Sequence, residues 1–215
     1  GQPGVIYSFK NPKSYEVNNT RATNSLCNIS KKYKIKKFIF GSSSSVYGDQ
    51  KKFPITEDSK LKPKNPYAKT KLYSEKIVTK TFKLSKTKFI IFRFFTVYGP
   101  FGRPDMFIHK FLNSIKNKEH IYIHNNGLNF RDFTYIDDIL KILAKALVII
   151  PKNKILNICR SKPIKTTKLV SLISKIYDKD YKIQKTGIVK GEMLKTHGSN
   201  KLLKKNFRSI KFTDI

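Results

Sequence analysis

The stretch Phe38-Ile39-Phe40-Gly41-Ser42-Ser43-Ser44-Ser45-Val46-Tyr47-Gly48 joins a short apolar run to a run of small hydroxyl residues. An apolar run bounded by small residues is typical of a strand buried in a parallel sheet, and we predict one over residues 36–42. Side chains that follow such a strand face the crevice in which open α/β sheets bind their ligands. The stretch therefore predicts both a fold class and the edge of the sheet where a site lies.

Helical and strand patterns alternate on both sides of this stretch. The predicted helices cover residues 15–30, 65–84, 105–116, 137–149 and 166–177, and the other predicted strands cover residues 88–95, 121–124, 155–159 and 181–184. Such alternation implies a parallel sheet with helices on both faces. We predict an α/β fold, a Rossmann-like doubly wound sheet, with a smaller lobe built from about residues 108–124 and from Ile155 onward.

The predicted sheet begins in the middle of its pattern. A doubly wound dinucleotide-binding domain starts with a strand and a glycine-rich phosphate turn, and no GxGxxG occurs in these 215 residues. We therefore expect a partial sheet whose first βαβ unit is absent. Residues 1–106 are predicted to be the C-terminal part of the dinucleotide-binding domain. Residues 107–215 are predicted to form mainly a truncated substrate-binding lobe, with residues 131–149 returning to the first domain.

Tyr67-Ala68-Lys69-Thr70-Lys71 follows Asn65-Pro66, a pair typical of a helix start. Positions four apart share a helix face, so the Tyr67 phenol and the Lys71 ammonium can act at one site. A phenol has a pKa of about 10 in water, and a nearby cation stabilises its ionised form. The pattern indicates a proton-transfer pair, although a solvated Tyr and Lys on a lysine-rich helix would have the same sequence.

The formal net charge of +31 suggests nucleic-acid binding at first sight. However, the cations are mostly lysines spread along the whole chain, whereas a phosphate-tracking surface concentrates basic and aromatic residues together. We expect attraction to anionic ligands but no nucleic-acid partner. A basic nucleic-acid-binding module is a remote alternative that rests on charge alone.

Cys27 and Cys159 stand apart, without a CxxC pair or clustered histidines, so we predict two buried thiols and no metal site. No apolar run reaches the roughly 18 residues of a membrane span. The N-terminus lacks the features of a signal peptide. We expect a cytoplasmic protein without a membrane segment.

Two motifs together resemble those of the extended short-chain dehydrogenase/reductase family. They are the Ser run that ends in Val46-Tyr47-Gly48 and the later segment Pro66-Tyr67-Ala68-Lys69-Thr70-Lys71. That family contains NAD-dependent sugar-nucleotide epimerases and dehydratases. One stretch is similar to the corresponding part of UDP-glucuronate 4-epimerases: Arg93-Phe94-Phe95-Thr96-Val97-Tyr98-Gly99-Pro100-Phe101-Gly102-Arg103-Pro104-Asp105-Met106. Another stretch resembles the family's second-lobe signature: Arg131-Asp132-Phe133-Thr134-Tyr135-Ile136-Asp137-Asp138. Gly4-Val5-Ile6-Tyr7 resembles the segment after the family's fourth strand, which would place the glycine turn outside this sequence.

The resemblance implies a catalytic set and a cofactor, NAD. Ser43 would bind the reacting hydroxyl and Tyr67 would be the acid and base. Lys71 would tune Tyr67, together with a positively charged nicotinamide, and hold the nicotinamide ribose. The residues implied to contact the cofactor are Asn18, Tyr67, Lys71, Phe95 and Val97.

The resemblance also implies substrate contacts by Ser44, Thr96, Arg103 and Arg131. Arg131 would meet the nucleotide diphosphate, and Arg103 would suit a uronic carboxylate, because a guanidinium binds such groups with two parallel hydrogen bonds. Two departures concern the sugar: Ile6 stands where glucuronate epimerases often carry Arg, and Lys190-Gly191-Glu192 replaces the commoner Pro-Gly-Asp.

Dehydratases of this family typically carry an Asp-Glu pair just before Val-Tyr-Gly, whereas this chain has Ser44-Ser45. A hydroxyl protonates a leaving group poorly, so the sequence favours epimerisation over dehydration. We expect NAD-dependent C4 epimerisation of a UDP-sugar, UDP-glucuronate to UDP-galacturonate, through a 4-keto intermediate. The expected setting is nucleotide-sugar metabolism and polysaccharide biosynthesis, with a homodimer when full length. The alternatives are a 4,6-dehydratase and an inactive fragment.

Overall fold

A computed structural model describes residues 1–152, 154–177, 182–189 and 191–215. Its helices are α1 Val5–Lys10, α2 Pro12–Tyr15, α3 Ala22–Lys32, α4 Pro66–Phe82, α5 Phe107–Asn117, α6 Ile136–Val148, α7 Thr166–Tyr177 and α8 Lys201–Asn206. Its strands are β1 Lys37–Ser43, β2 Lys88–Phe94, β3 Thr96–Tyr98, β4 Ile121–Ile123, β5 Phe130–Arg131, β6 Phe133–Tyr135, β7 Ile155–Ile158, β8 Ile164–Lys165 and β9 Ile183–Lys185. Glu16–Arg21 is π-helical, and Ser44–Tyr47 and His124–Gly127 are 3₁₀ turns.

The main sheet contains three parallel strands in the order β1-β2-β7. Ser43 lies opposite Phe94 in the register, so the carboxyl ends of β1 and β2 are level. Helices α3 and α4 cover one face of this sheet, and α6 and α8 cover the other. Because both faces are covered, the central strand β2 has apolar side chains at four successive positions, 89–92, rather than at alternate ones. The predicted α/β class with a parallel sheet is confirmed.

The place of β7 differs from the prediction. We expected Ile155 onward to belong to the smaller lobe, but Ile155–Ile158 pairs in parallel with β2 in the main sheet. The segment that follows also contributes to that sheet, because Leu203 of α8 and Phe207 pack with Leu156 and Ile158. A short apolar run predicts a buried strand but does not specify the sheet that the strand joins.

A second core lies beside the main sheet, between α5, α7 and the short strands. Its buried members are Phe111, Ile115, Ile121, Ile123, Phe133, Ile164, Leu169, Val170 and Ile173. Helix α6, in contrast, packs Ile142 and Ala146 into the core of the main sheet. The exact division of the chain at residue 106 stays a prediction.

Local signals predicted the long helices well, and α4 begins as expected. The Asn65 side chain accepts a hydrogen bond from the backbone N–H of Ala68 at 2.8 Å, and Pro66 occupies the first turn. The sequence did not predict the six-residue helices α1 and α8, which are too short to be stable without packing. The predicted strand at residues 181–184 corresponds to β9 at Ile183–Lys185, and Tyr181 lies outside the described residues.

Candidate active site

Two elements bring the predicted catalytic residues together. Tyr67 lies on the first turn of α4, and Ser43 ends β1. The Tyr67 hydroxyl lies close enough to the Ser43 side chain for the Ser43 hydroxyl to lower the pKa of the phenol. Ser43 is itself oriented by Ser45, whose backbone N–H donates to the Ser43 hydroxyl oxygen at 3.2 Å. A phenol is thus placed beside a fixed hydroxyl at the carboxyl end of a parallel strand.

Lys71 lies one helical turn after Tyr67. Its Nζ donates to the carbonyl oxygen of Gly41 at 2.7 Å and lies 5.2 Å from the centre of the Phe40 ring. Burial lowers the pKa of Lys71, and the nearby carboxylate of Glu75 partly offsets this change. Lys71 therefore contacts β1 next to the Ser run.

The pKa of Tyr67 departs from its ordinary value in the direction opposite to the one we expected. Burial raises the pKa of Tyr67, and this effect outweighs the lowering by the neighbouring Ser43 hydroxyl and by the charge of Arg103. The groups of the chain therefore favour the neutral phenol. A net lowering of the pKa would require the charge of a bound ligand.

A cavity of about 680 Å³ opens at this edge of the sheet, and we call it the α4 cavity. Every predicted site residue except Asn18 is among the residues that line it: Ser43, Ser44, Tyr67, Lys71, Phe95, Thr96, Val97, Arg103 and Arg131. A second cavity of about 680 Å³, the lobe cavity, extends toward α5 and β4. The two cavities share Thr96, Val97, Arg103 and Arg131, so they form one elongated crevice.

The structure places Asn18 away from this crevice. Its side chain is exposed and donates to Gln2 Oε1 at 2.9 Å. The neighbouring Asn19 is buried instead, and its Nδ2 donates to Thr70 Oγ1 of α4 at 3.1 Å. Both residues lie in the π-helical segment, whose wider turn changes which side chain faces α4. We did not identify Asn19 from the sequence, where no pattern marks such a turn.

The two arginines predicted to hold substrate each contact an acid of the same chain. Arg103 Nε donates to Asp105 Oδ1 at 2.9 Å, and a second hydrogen bond joins the same two side chains. Arg131 is largely buried, and its guanidinium lies 3.5 Å from Glu192 Oε1. Glu192 belongs to the segment that departs from the family pattern, whereas Lys190 of that segment lies outside the described residues.

A buried polar network supports the site from behind. Arg93 Nε and NH2 donate to Glu75 Oε1 and Oε2 at 3.0 and 2.7 Å, and both side chains are almost fully buried. The Ser42 hydroxyl donates to Glu75 Oε1 at 2.5 Å. Because Glu75 lies on α4 and Ser42 on β1, the network fixes the helix that carries Tyr67 against the strand that carries Ser43.

The part of the chain that the structure describes contains neither a candidate metal site nor a membrane-spanning helix. Across residues 1–152, 154–177, 182–189 and 191–215, no group of three or more His, Cys, Asp or Glu could hold a metal ion. None of the helices in this described part of the chain is long and apolar enough to cross a bilayer.

The chain is similar to known nucleotide-sugar enzymes. A model of the NAD dependent epimerase/dehydratase family matches residues 1–159. An uncharacterized protein of Methanocaldococcus jannaschii is 37% identical over 207 residues, which is 94% of this chain and 64% of that protein. A UDP-glucuronate 4-epimerase of Thermodesulfobacterium geofontis is 35% identical over 181 residues, 83% of this chain and 55% of that protein.

A solved structure shows the same architecture. The UDP-glucuronic acid 4-epimerase from Bacillus cereus, in complex with UDP-glucuronic acid and NAD, is 31% identical, with a TM-score of 0.92 over 99% of this chain and 68% of that chain. The chain thus spans about two thirds or less of the length of these relatives.

Proposed function

The chain belongs to the NAD dependent epimerase/dehydratase family, and from this premise we propose that it carries the catalytic and sugar-binding part of a UDP-glucuronate 4-epimerase. The reaction interconverts UDP-glucuronate and UDP-galacturonate through a 4-keto sugar. The observation that carries the proposal is the placement of Tyr67 beside Ser43, at one edge of a cavity that Lys71, Arg103 and Arg131 also line.

The proposed chemistry begins at the C4 hydroxyl of the sugar. Ser43 holds this hydroxyl, and Tyr67 takes its proton as hydride leaves the same carbon. After the 4-keto sugar has turned over, hydride returns to C4 from the opposite face of the sugar while Tyr67 returns the proton to the oxygen, and the configuration at C4 is inverted. A positioned acid and base of this kind contributes about 10²- to 10⁴-fold to the rate.

The chain's residues fit the nicotinamide end of NAD. Phe95 and Val97 offer apolar surface in the α4 cavity, and the Lys71 ammonium stays close by through its hydrogen bond to Gly41. NAD, when bound, supplies the hydride acceptor and donor. This fit concerns only the nicotinamide end, since these 215 residues contain no GxGxxG turn for the pyrophosphate.

The elongated crevice suits a nucleotide sugar. Arg103 and Arg131 both line the α4 cavity and the lobe cavity, and it is the charge of Arg103 that acts on Tyr67, where the sugar would react. A guanidinium pairs well with a carboxylate or a diphosphate. We assign Arg103 to the uronic carboxylate and Arg131 to the diphosphate, with Thr96 and Ser44 as further sugar contacts.

Epimerisation is favoured over dehydration by the acids near the sugar site. Of the described residues that line the α4 cavity, the carboxylates are Asp105 and Glu192, and each is paired with an arginine. Elimination of water from C5 and C6 needs an additional acid and base. Ser44 and Ser45 occupy the place where dehydratases typically carry them.

The test is an assay with NAD on a version of the protein that carries the family's N-terminal glycine-rich segment. We expect UDP-glucuronate and UDP-galacturonate to interconvert. UDP-glucose serves as the second substrate, because it has the C6 hydroxyl that a dehydratase would expel. A 4-keto-6-deoxy product from UDP-glucose would contradict the proposal in favour of dehydration, and no change in either sugar would contradict both activities.

A further inference from the structure

The sugar-side arginine is already paired within its own loop. Arg103 and Asp105 both line the α4 cavity, and their side chains are 39% and 55% exposed. Arg103 uses Nε and NH2 to donate to the two carboxylate oxygens of Asp105. This two-pronged geometry is the one that a guanidinium offers to any planar carboxylate. A uronic acid that approaches Arg103 therefore meets a guanidinium whose Nε–NH2 edge already binds a chemically equivalent group.

The backbone builds this pair. The N–H of Met106 donates to the carbonyl oxygen of Arg103 at 3.1 Å, which closes a turn with Pro104 at its second position. Proline at that position is preorganised for a turn. The turn therefore keeps Asp105 within reach of Arg103 in the free protein.

We propose that Asp105 is a specificity-determining residue, whose carboxylate competes with the carboxylate of the sugar for Arg103. The inference rests on the proposed function, since it presumes a sugar bound beside Tyr67. A neutral hexose leaves the Arg103–Asp105 pair intact. A uronate either displaces Asp105 from the Nε–NH2 edge or binds the remaining NH1 side next to the charge of Asp105. Discrimination between the two sugars is a difference of affinities, so Asp105 reduces the preference that Arg103 alone would give.

The displaced carboxylate has another cation nearby. Lys110, at the start of α5, is exposed, and its charge contributes with Arg103 to holding the pKa of Asp105 below its ordinary value. Asp105 can remain ionised near Lys110 after Arg103 has turned to a substrate. The exchange of carboxylates therefore requires no proton transfer.

The variant Asp105→Asn tests this competition in the version of the protein that carries the N-terminal glycine-rich segment, in the presence of NAD. Calorimetric titrations with UDP, UDP-glucose and UDP-glucuronate compare it with the unaltered chain. We expect about fivefold tighter binding of UDP-glucuronate and less than about a twofold change for the other two ligands, the size expected for removing one exposed ion pair. The matched control is Glu16→Gln, which removes the exposed Glu16–Arg21 pair outside both cavities and should change none of the three affinities.

The outcomes separate this inference from the proposed function. Weaker binding of UDP-glucuronate by Asp105→Asn would mean that Asp105 orients Arg103 for the substrate, and would overturn the inference. An equal gain in affinity for all three ligands would also overturn the inference, because such a result would indicate that Asp105 repels every anionic ligand. If the unaltered chain and both variants bind no UDP compound, the proposed function fails, and the inference with it.

A second measurement tests, in the absence of any sugar, whether Asp105 shields Arg103 from a chemical label. Phenylglyoxal labels free guanidinium groups, and mass spectrometry can follow labelling at Arg103. We expect faster labelling in Asp105→Asn than in the unaltered chain, with Arg21 as an internal reference. Equal rates would show that Asp105 does not occupy Arg103 in solution, and would contradict the competition.

Discussion

Among single residues, Tyr67 is the one on which the proposed reaction depends most directly. Replacing Tyr67 by Phe removes the hydroxyl and keeps the ring, so we expect epimerisation to fall by at least about 10²-fold. Binding of UDP-sugars by calorimetry should change little. Product formation is to be measured in the version that carries the N-terminal glycine-rich segment.

The control for Tyr67 lies on the same helix. Tyr73 is 61% exposed and does not line either cavity, so Tyr73→Phe should keep full activity. Activity retained by Tyr67→Phe would show that another group moves the proton. Equal loss in the two variants would point to damage to α4 rather than to lost chemistry.

The two substrate arginines should differ in what they contribute. Arg131→Ala should lower kcat/KM for UDP-glucose and for UDP-glucuronate alike, by about 10- to 100-fold, because both substrates make charge-assisted hydrogen bonds through the same diphosphate. Arg103→Ala should remove the preference for UDP-glucuronate while changing UDP binding much less. The measurement is kcat/KM for both sugars in each variant. An unchanged ratio in Arg103→Ala would leave Arg103 only the role of bracing its loop against Asp105.

Among the elements, α4 depends on the buried Glu75–Arg93 pair for its fit against β1 and β2. Removing one partner leaves the other charge buried and unpaired, so we expect Glu75→Gln to lower the free energy of unfolding by about 3–5 kcal/mol. The double variant with Met at both positions should regain much of this loss. Urea titrations followed by circular dichroism provide the measurement.

The control for Glu75→Gln is Glu16→Gln, which removes an exposed ion pair. The Glu16 and Arg21 side chains are 52% and 67% exposed, so Glu16→Gln should lower the free energy of unfolding by less than about 1 kcal/mol. If Glu75→Gln lowers the free energy of unfolding by no more than Glu16→Gln does, the buried Glu75–Arg93 pair does not hold α4 in place. Our account of how Tyr67 and Ser43 are aligned would then be wrong.

For the whole molecule, Asp132 joins segments that are distant in the sequence. Its carboxylate accepts hydrogen bonds from the N–H groups of Ser161, after β7, and Gly198, before α8. Burial raises the pKa of Asp132 to about 6. Between the ordinary value near 4 and about 6, the folded protein keeps a proton that the unfolded chain releases. This carboxyl therefore makes folding less favourable as the pH rises through that window.

The variant Asp132→Asn should abolish that pH dependence. The free energy of unfolding of the unaltered chain, minus that of the variant, should fall between about pH 4 and about pH 6. Taking the difference cancels groups that titrate equally in both proteins. A difference that stays constant, or that rises with pH, would show that the Asp132 pKa is not raised.

Local sequence was sufficient to predict the α/β class, the long helices and strands, and the start of α4. It was also sufficient to place the functional groups of Tyr67 and Lys71 on one helix face. These features depend on residues within a few positions of each other: a capping Asn65, a helical repeat, an apolar run that ends in serines. The physical determinants are therefore present in the sequence itself.

Other features depend on contacts between distant segments, and only the folded chain decides them. The place of β7 follows from its pairing with β2, the partner of Arg131 is Glu192, and a π-helical turn selects Asn19 rather than Asn18 to face α4. The direction of the Tyr67 pKa shift has the same origin, because burial by surrounding segments outweighs the charges near the phenol. Burial and non-local pairing are properties of the packed structure, which local patterns do not encode.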